Sequence, residues 1–324
     1  MAGHDLVGFG AGVVDKIFQV DSVAAAESKV FIRAGRAFIG GVVPNHLAWA
    51  GALGLRPALF GVAADDEDGR WFRRGLKSTG VADARRVSAG ERTSSALIFV
   101  DPEGERAVYL DRGSNPGLRP DQVAGFGPLI RGARFVSTEL CQLPLPAVQA
   151  VLDMASAAGK PGFVDLDLPP SAIVGSRLGT RAQVLRALRT APFVKSSVDA
   201  AAELVGRGSP ERMALALHGY LKKRPGTEWV ALTAGRLGSA ISDGRRSHLA
   251  RGFRGIRAVD STGAGDAYLG GLIAGTARGF GLAELARFGN AAGAAKVERL
   301  GAGPGRESKA RVLELFTAAT ASAL

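Results

Sequence analysis

With a single cysteine, Cys141, and four scattered histidines, this chain cannot form an internal disulfide and has no Cys/His group at zinc-ligand spacing. A reducing, cytoplasmic setting is the expectation that follows. No stretch of 18 consecutive apolar residues occurs, which leaves no candidate for a spanning helix. The first residues, MAGHDLVGFGAGVVDKIF, show neither a basic stretch ahead of an apolar segment nor an A-x-A-like site, so no secretion signal is recognisable. Internal repeats, low-complexity tracts and long linkers are missing too, and residues 1–324 read as one domain. The 45 glycines follow no collagen-like period; they gather where strands would hand over to helices.

Apolar residues are plentiful at 46%, enough over 324 residues to bury a sizeable core. The net charge is +11, which raises the question of a polyanionic partner. The basic residues are dispersed, however, and the densest group, Lys222 to Arg224, is not interleaved with stacking aromatics. We therefore expect a solvated basic surface that favours anionic small molecules, with no nucleic-acid or membrane partner.

Residues 5–14 (DLVGFGAGVV) read as a buried first strand with Asp15 just past its end. The segments 16–23, 29–40 and 95–111 alternate like exposed strands, the last a hairpin turning at Asp101 to Gly104. Together, about 15–40 and 95–113 predict a small sheet set apart from the main body. Between them lie a helix at 45–54, the strand 57–63 and a helix around 69–79. From about 130 onward strand and helix alternate, which predicts right-handed βαβ units and a mostly parallel sheet.

The sharpest chemical signal is AVDSTGAGDAYLGGLIAG, Ala258 to Gly275, a glycine-rich polar turn running into an apolar helix. Gly263, Ala264 and Gly265 can present backbone N–H groups to an anion, and the helix adds its positive end. Asp266 would then sit in the first helical turn, able to take a proton from an alcohol held there. Its plainer reading is an acidic residue stabilising a helix N-terminus.

The string DSTGAGD resembles the signature of the ribokinase-like, or phosphofructokinase-B, carbohydrate kinase family, and further motifs occur in the family's order from about residue 5 to 305. The resemblance implies an α/β fold, a central mostly parallel sheet flanked by helices on both faces, with a small β-sheet lid over the substrate. It implies ATP as phosphoryl donor, Mg²⁺ on the nucleotide, Asp266 as base and the Gly263–Gly265 turn as anion hole. Gly40, Gly41 and Asn45 match the segment along the sugar, and Asp15 an acidic residue that binds sugar hydroxyls; a turn and a helix cap are the alternatives. A carboxylate and an amide suit hydroxyls because together they accept and donate. Thr233, Gly235 and Gly238 match a turn where nucleotide phosphates approach the backbone, and Asn290 falls near the adenine side unless it is a helix cap. Asp260 and Thr262, with backbone groups near Lys296, Arg299 and Gly301, correspond to a monovalent cation site suited to K⁺. Arg112, after the lid hairpin, faces the substrate or lies on the surface. A homodimer through the lid is expected, since exposed strand edges invite pairing.

Two departures stand out. Where the family carries K-x-N-x-x-E to organise water around Mg²⁺, this chain keeps Lys195 but has Ser197 and Ala200, leaving Asp199 or Glu203 to act through water. CQLPLP puts Pro144 where ribokinases often place a glutamate, and DLDLPP departs from a ketose-kinase pattern, so the acceptor is a sugar or similar polyol left unnamed. A nucleoside kinase of the same fold and a sugar-binding regulator with weak catalysis are the alternatives. GFGAGV, Gly8 to Val13, nearly makes a dinucleotide turn but lacks its third glycine, and Gly159-Lys160 is followed by Pro161, which excludes a Walker loop.

Overall fold

The computed structural model describes residues 3–103, 105–221 and 228–321; Gly104, expected in a hairpin turn, and the basic group Lys222 to Arg224 lie outside the described residues. Its centre is a nine-stranded sheet whose strands, in spatial order, are β15 (Ser247–Arg251), β14 (Gly238–Ser242), β13 (Trp229–Thr233), β12 (Phe193–Ser197), β11 (Gly162–Leu166), β10 (Phe135–Glu139), β1 (Leu6–Phe9), β4 (Pro57–Phe60) and β6 (Ala82–Asp83). All neighbours from β13 to β6 pair in parallel, and β14 and β15 close one edge as an antiparallel hairpin. A four-stranded sheet stands apart, in the order β3 (Ile32–Gly40), β2 (Val13–Val20), β8 (Ser94–Val100), β9 (Arg106–Asp111). A short parallel pair, β5 (Val62–Ala64) with β7 (Arg86–Ser88), completes the strands.

Period-two alternation assigns each side chain of the central strands to one of two helical layers. Val136, Val164, Val194 and Val230 face one core together with Val148, Leu188 and Leu217 of the helices Leu145–Ala157, Arg181–Thr190 and Pro210–Leu221. Their neighbours Phe135, Phe163, Phe193 and Trp229 face the other, against Leu47, Leu269 and Leu272 of the helices Val42–Ala52 and Ala264–Ala277. The aromatics form a row with centroids 5.5, 4.5 and 5.0 Å apart, the spacing at which rings gain from one another beyond simple burial. No helix among the described residues is long and apolar enough to cross a membrane.

Several expected boundaries move, each for a local reason. The run 5–14 is not one strand: β1 ends at Phe9, and β2 begins at Val13 in the small sheet. A Cβ added at Gly10 would meet Val43 at 2.3 Å, so the chain there passes tight against a helix instead of continuing the strand. Asp15 consequently belongs to a strand of the small sheet and does not follow the first central strand. The strand expected at 57–63 breaks at Gly61, whose φ is 136°. The helix expected from Asn45 begins at Val42, with Pro44 in the first turn where its missing N–H costs nothing.

What starts that helix early is Gly41, with φ 100° and ψ 134°. A Cβ there would lie 2.4 Å from the Ala11 carbonyl oxygen, a backbone atom that cannot step aside. Gly41→Ala is expected to destabilise the protein by about 3 kcal/mol, read as a lower midpoint in urea unfolding with an unchanged slope.

Candidate active site

The same alternation that builds the aromatic row carries polar groups to the C-terminal ends of the strands. Two residues beyond Phe163 on its face lies Asp165, and two beyond Phe193 lies Lys195; Glu139 completes the row, in register with Asp165, which in turn is in register with Lys195. All three are fully buried. Lys195 Nζ lies 2.9 Å from Asp165 and 3.3 Å from Asp167, whose side chain is half exposed just past the end of β11. Burial works against the Lys195 charge, but the two aspartates hold its pKa above the ordinary lysine value. Glu139 accepts from the N–H groups of Cys141 and Gln142 at 2.5 and 2.8 Å. Ligands of parallel α/β sheets gather at this edge.

Onto it the GAGD turn is lowered from the helical layer. Gly263 adopts a left-handed φ of 77° and precedes the helix Ala264–Ala277. Residues 264–266 are its first three, and helix geometry leaves such N–H groups without a carbonyl one turn back; Ala264 N uses Ser261 O at 3.2 Å. A Cβ at Gly265 would come within 3.0 Å of Lys195 Nζ, so the turn, the lysine and Asp167 line one space. An anion there would meet a helix N-terminus and an ammonium together.

Asp266 is partly buried at this point and accepts from Asn45 Nδ2 at 2.7 Å. Burial pushes its carboxyl up to about 7, against the pull of Lys195 and of the Asn45 amide, with Asp167 and Asp15 adding like-charge repulsion. Asn45 is therefore no helix cap: it lies inside the first turn, with its side chain reaching the carboxylate across 221 residues of sequence. On the same side, Asp15 leans over Gly40, where a Cβ would strike its carboxylate at 2.4 Å. Burial alone pushes Asp15 up to about 6. Gln142 Oε1 accepts from Val42 N at 3.2 Å, tying the end of β10 to this helix start.

The other expected residues fall as follows. Thr233 closes β13 beside Ser197, its register partner. Gly235 and Gly238 have φ of 56° and 105°, and a Cβ at Gly238 would sit 2.1 Å from Ala250 O. Asn290 is again not a cap: it lies in the middle of the helix Leu282–Val297 and donates to the Ala250 and Arg251 carbonyls at 2.8 and 3.3 Å, bracing the strand under Gly238. Arg112 donates to Ser176 O at 2.5 Å, linking the small sheet to the main body rather than reaching toward Asp266. Ser197 caps the helix Val198–Val205 by accepting from Ala200 N at 3.1 Å, and Ala200 is buried. Glu203 is taken up by Ser171 and Arg181. At Asp260, Thr262 N and Gly301 N donate to the carboxylate at 2.9 Å each, and the Lys296 side chain lies among the same atoms. Among the described residues no group of three or more His, Cys, Asp or Glu could hold a metal ion.

Sequence reading passed over Asp165, Asp167 and Glu139. The signal was present in Asp165 and Asp167, two positions apart at the end of a buried strand. The glycines of GFGAGV do not cradle a dinucleotide: Cβ atoms at Gly8 and Gly10 would meet Val43 at 2.6 and 2.3 Å, so a helix fills that space.

Comparison with known proteins places the chain in a family and a fold. Residues 4–309 match the model of the "pfkB family carbohydrate kinase". The chain is 29% identical to Fructokinase-1 from Oryza sativa subsp. japonica, over 98% of this chain and 100% of that protein. Its fold superimposes on the ribokinase of Arabidopsis thaliana solved with ribose and ATP, with a TM-score of 0.82 at 21% identity over 97% of this chain and 99% of that one. The adenosine kinase of Sinorhizobium meliloti gives a TM-score of 0.80 at 24% identity, over 97% and 99% of the two chains.

Because the folded protein holds the Asp266 proton to about pH 7 while the unfolded chain releases it near 3.8, this group stabilises the fold when protonated, and that contribution is lost as pH rises through about 7. Asp266→Asn is accordingly expected to raise the melting temperature relative to the parent at pH 8, with the gap closing toward pH 4, as differential scanning calorimetry across that range would show.

Proposed function

This chain belongs to the pfkB family of carbohydrate kinases, and we infer that it transfers the γ-phosphoryl group of ATP to a hydroxyl of a sugar or sugar-like molecule. The observation that carries this reading is Asp266: a partly buried carboxyl whose pKa is pushed up to about 7, in the first turn of a helix, held by Asn45 and facing Lys195. Near neutral pH such a group both accepts a proton and later releases it, which a general base must do. The acceptor hydroxyl would lie between Asp15, Asn45 and Asp266. Its proton passes to Asp266 as its oxygen bonds to the γ-phosphorus, and the bond from that phosphorus to the β,γ-bridging oxygen breaks, releasing ADP. The N–H groups of Gly265 and Asp266 and the Lys195 ammonium are placed to take up charge on the phosphoryl oxygens.

The nucleotide would lie over Thr233, Gly235 and Gly238, where small residues and turned backbone leave room for phosphates. Mg²⁺ bound to the nucleotide supplies further neutralisation of the phosphates. It keeps most of its waters in such sites, so the want of a direct protein ligand set is compatible with it. Ser197 and Ala200 cannot order those waters through a carboxylate, and Asp167, half exposed beside Lys195 and the Gly265 turn, is placed to do so. ATP consumption and a lone free thiol fit the cytoplasm. Tyr109 and Leu110 on β9, an outer strand of the small sheet, are 61 and 72% exposed, an apolar edge on which two copies would pair.

ADP release from Mg·ATP, measured across sugars, keto-sugars, polyols and nucleosides, tests the reading and names the acceptor. One acceptor should support turnover that Asp266→Asn lowers by about 10²–10⁴-fold, while the same acceptor still raises the variant's melting temperature. No turnover on any acceptor, with melting shifts intact, would instead identify a sugar-binding protein. The pH profile of kcat should rise through about 7 as Asp266 loses its proton. For the pairing edge, Leu110→Asp should convert a dimer to a monomer in light scattering.

A further inference from the structure

Behind the GAGD turn an ammonium sits where a free ion would be looked for. Lys296, in the last turn of the helix Leu282–Val297, is fully buried, and its Nζ donates to the Asp260 carbonyl at 2.5 Å and the Arg299 carbonyl at 3.2 Å. The Asp260 carboxylate lies 3.4 Å away. Two carbonyl oxygens and a carboxylate are oxygen donors of the kind a potassium ion takes, and an ammonium, singly charged with three N–H donors, is satisfied by the same oxygens.

The contacts around it brace the anion hole. Asp260 opens the loop that leads to Gly263, and its carboxylate accepts from Thr262 N in that loop and from Gly301 N in the segment that follows Lys296. That second segment packs on the turn itself: a Cβ at Gly263 would meet Ala302 Cβ at 2.6 Å, and Ala302 O accepts from Trp49 Nε1 at 2.9 Å. Lys296 therefore joins the two strands of chain whose mutual position sets where the N–H groups of Gly265 and Asp266 point.

We propose that Lys296 is a tethered cation and a positioning residue: its ammonium takes the place of a bound monovalent ion in bracing the anion-hole loop, so that the protein neither binds potassium beside Asp260 nor is activated by it. The ammonium carries three donors and faces three acceptors, so its proton is useful where it is. Burial leaves its pKa below the ordinary lysine value, with Asp260 opposing that shift in part. A second cation sharing the Asp260 carboxylate would stand a few ångströms from Nζ, where like-charge repulsion at an effective dielectric of about 20 weakens binding by roughly a thousandfold. The residues here thus do not fit the cation site that the resemblance implied.

The effect on turnover rests on the kinase reading above; the effect on ion binding does not, and the test separates them. Melting of the full-length protein is measured in KCl, NaCl and choline chloride at equal ionic strength, and crystals soaked in rubidium are searched for anomalous scattering beside Asp260. The parent should melt at one temperature in all three salts and show no rubidium peak; Lys296→Ala should melt lower, recover in KCl but not in choline chloride, and gain a rubidium peak among the Asp260 and Arg299 oxygens. Turnover, once an acceptor is known, should be equal in the three salts for the parent and potassium-dependent in the variant. A potassium-specific rise in melting or a rubidium peak in the parent overturns the proposal. So does a folded Lys296→Ala variant indifferent to potassium, which would make Lys296 a structural lysine only. Should that variant fail to fold in any salt, the parent's ion series and rubidium soak still decide whether the chain binds potassium there.

Discussion

A carboxylate partly withdrawn from water is the constraint on which this structure depends. Asp266 is partly buried, and loss of hydration by itself pushes a carboxyl toward its neutral form. Three features restrain that effect without abolishing it: the Asn45 amide at 2.7 Å, the Lys195 ammonium, and the helix N-terminus on which Asp266 stands. Each is delivered by a different part of the chain. The balance leaves the group near 7, where it can exchange a proton, and a fully solvated or fully ion-paired aspartate could not.

Bringing those parts together requires backbone to approach backbone. Gly41 lies where any side chain would strike the Ala11 carbonyl, and Gly263 where one would strike Ala302. Both also hold φ values, 100° and 77°, that L residues rarely adopt. These two glycines thus serve close packing around one site rather than flexibility. The same holds at Gly8 and Gly10, which read like a dinucleotide turn and in fact make room for Val43.

Among the described residues, the two fully buried lysines each sit against carboxylates. Lys195 lies between Asp165 and Asp167, Lys296 against Asp260, and the period-two geometry of the strands puts the first group directly beyond a row of packed aromatics. An aromatic floor and a charged rim on one face of a sheet separate the two jobs of the strand: its middle holds the core, and its C-terminal end holds the chemistry. Removing one partner of such a pair would leave an uncompensated buried charge, far more costly than losing a surface ion pair.

What the sequence determined by itself was everything local or periodic. Strand and helix alternation after residue 130, the alternating strands of the small sheet and the glycine turn before Asp266 were legible because each is a pattern within a few tens of residues. The tertiary structure alone decided which distant groups meet. Nothing near residue 45 indicates that its amide binds a carboxylate 221 residues on, that Asn290 braces a strand carbonyl, or that the Lys296 side chain turns back onto Asp260. The break of the first strand at Gly10, which put Asp15 in the small sheet, was equally invisible, since its cause is a valine on a helix that follows 33 residues later. Side-chain direction depends on how elements pack, and packing is a property of the whole chain, whereas propensity and period are read from neighbours.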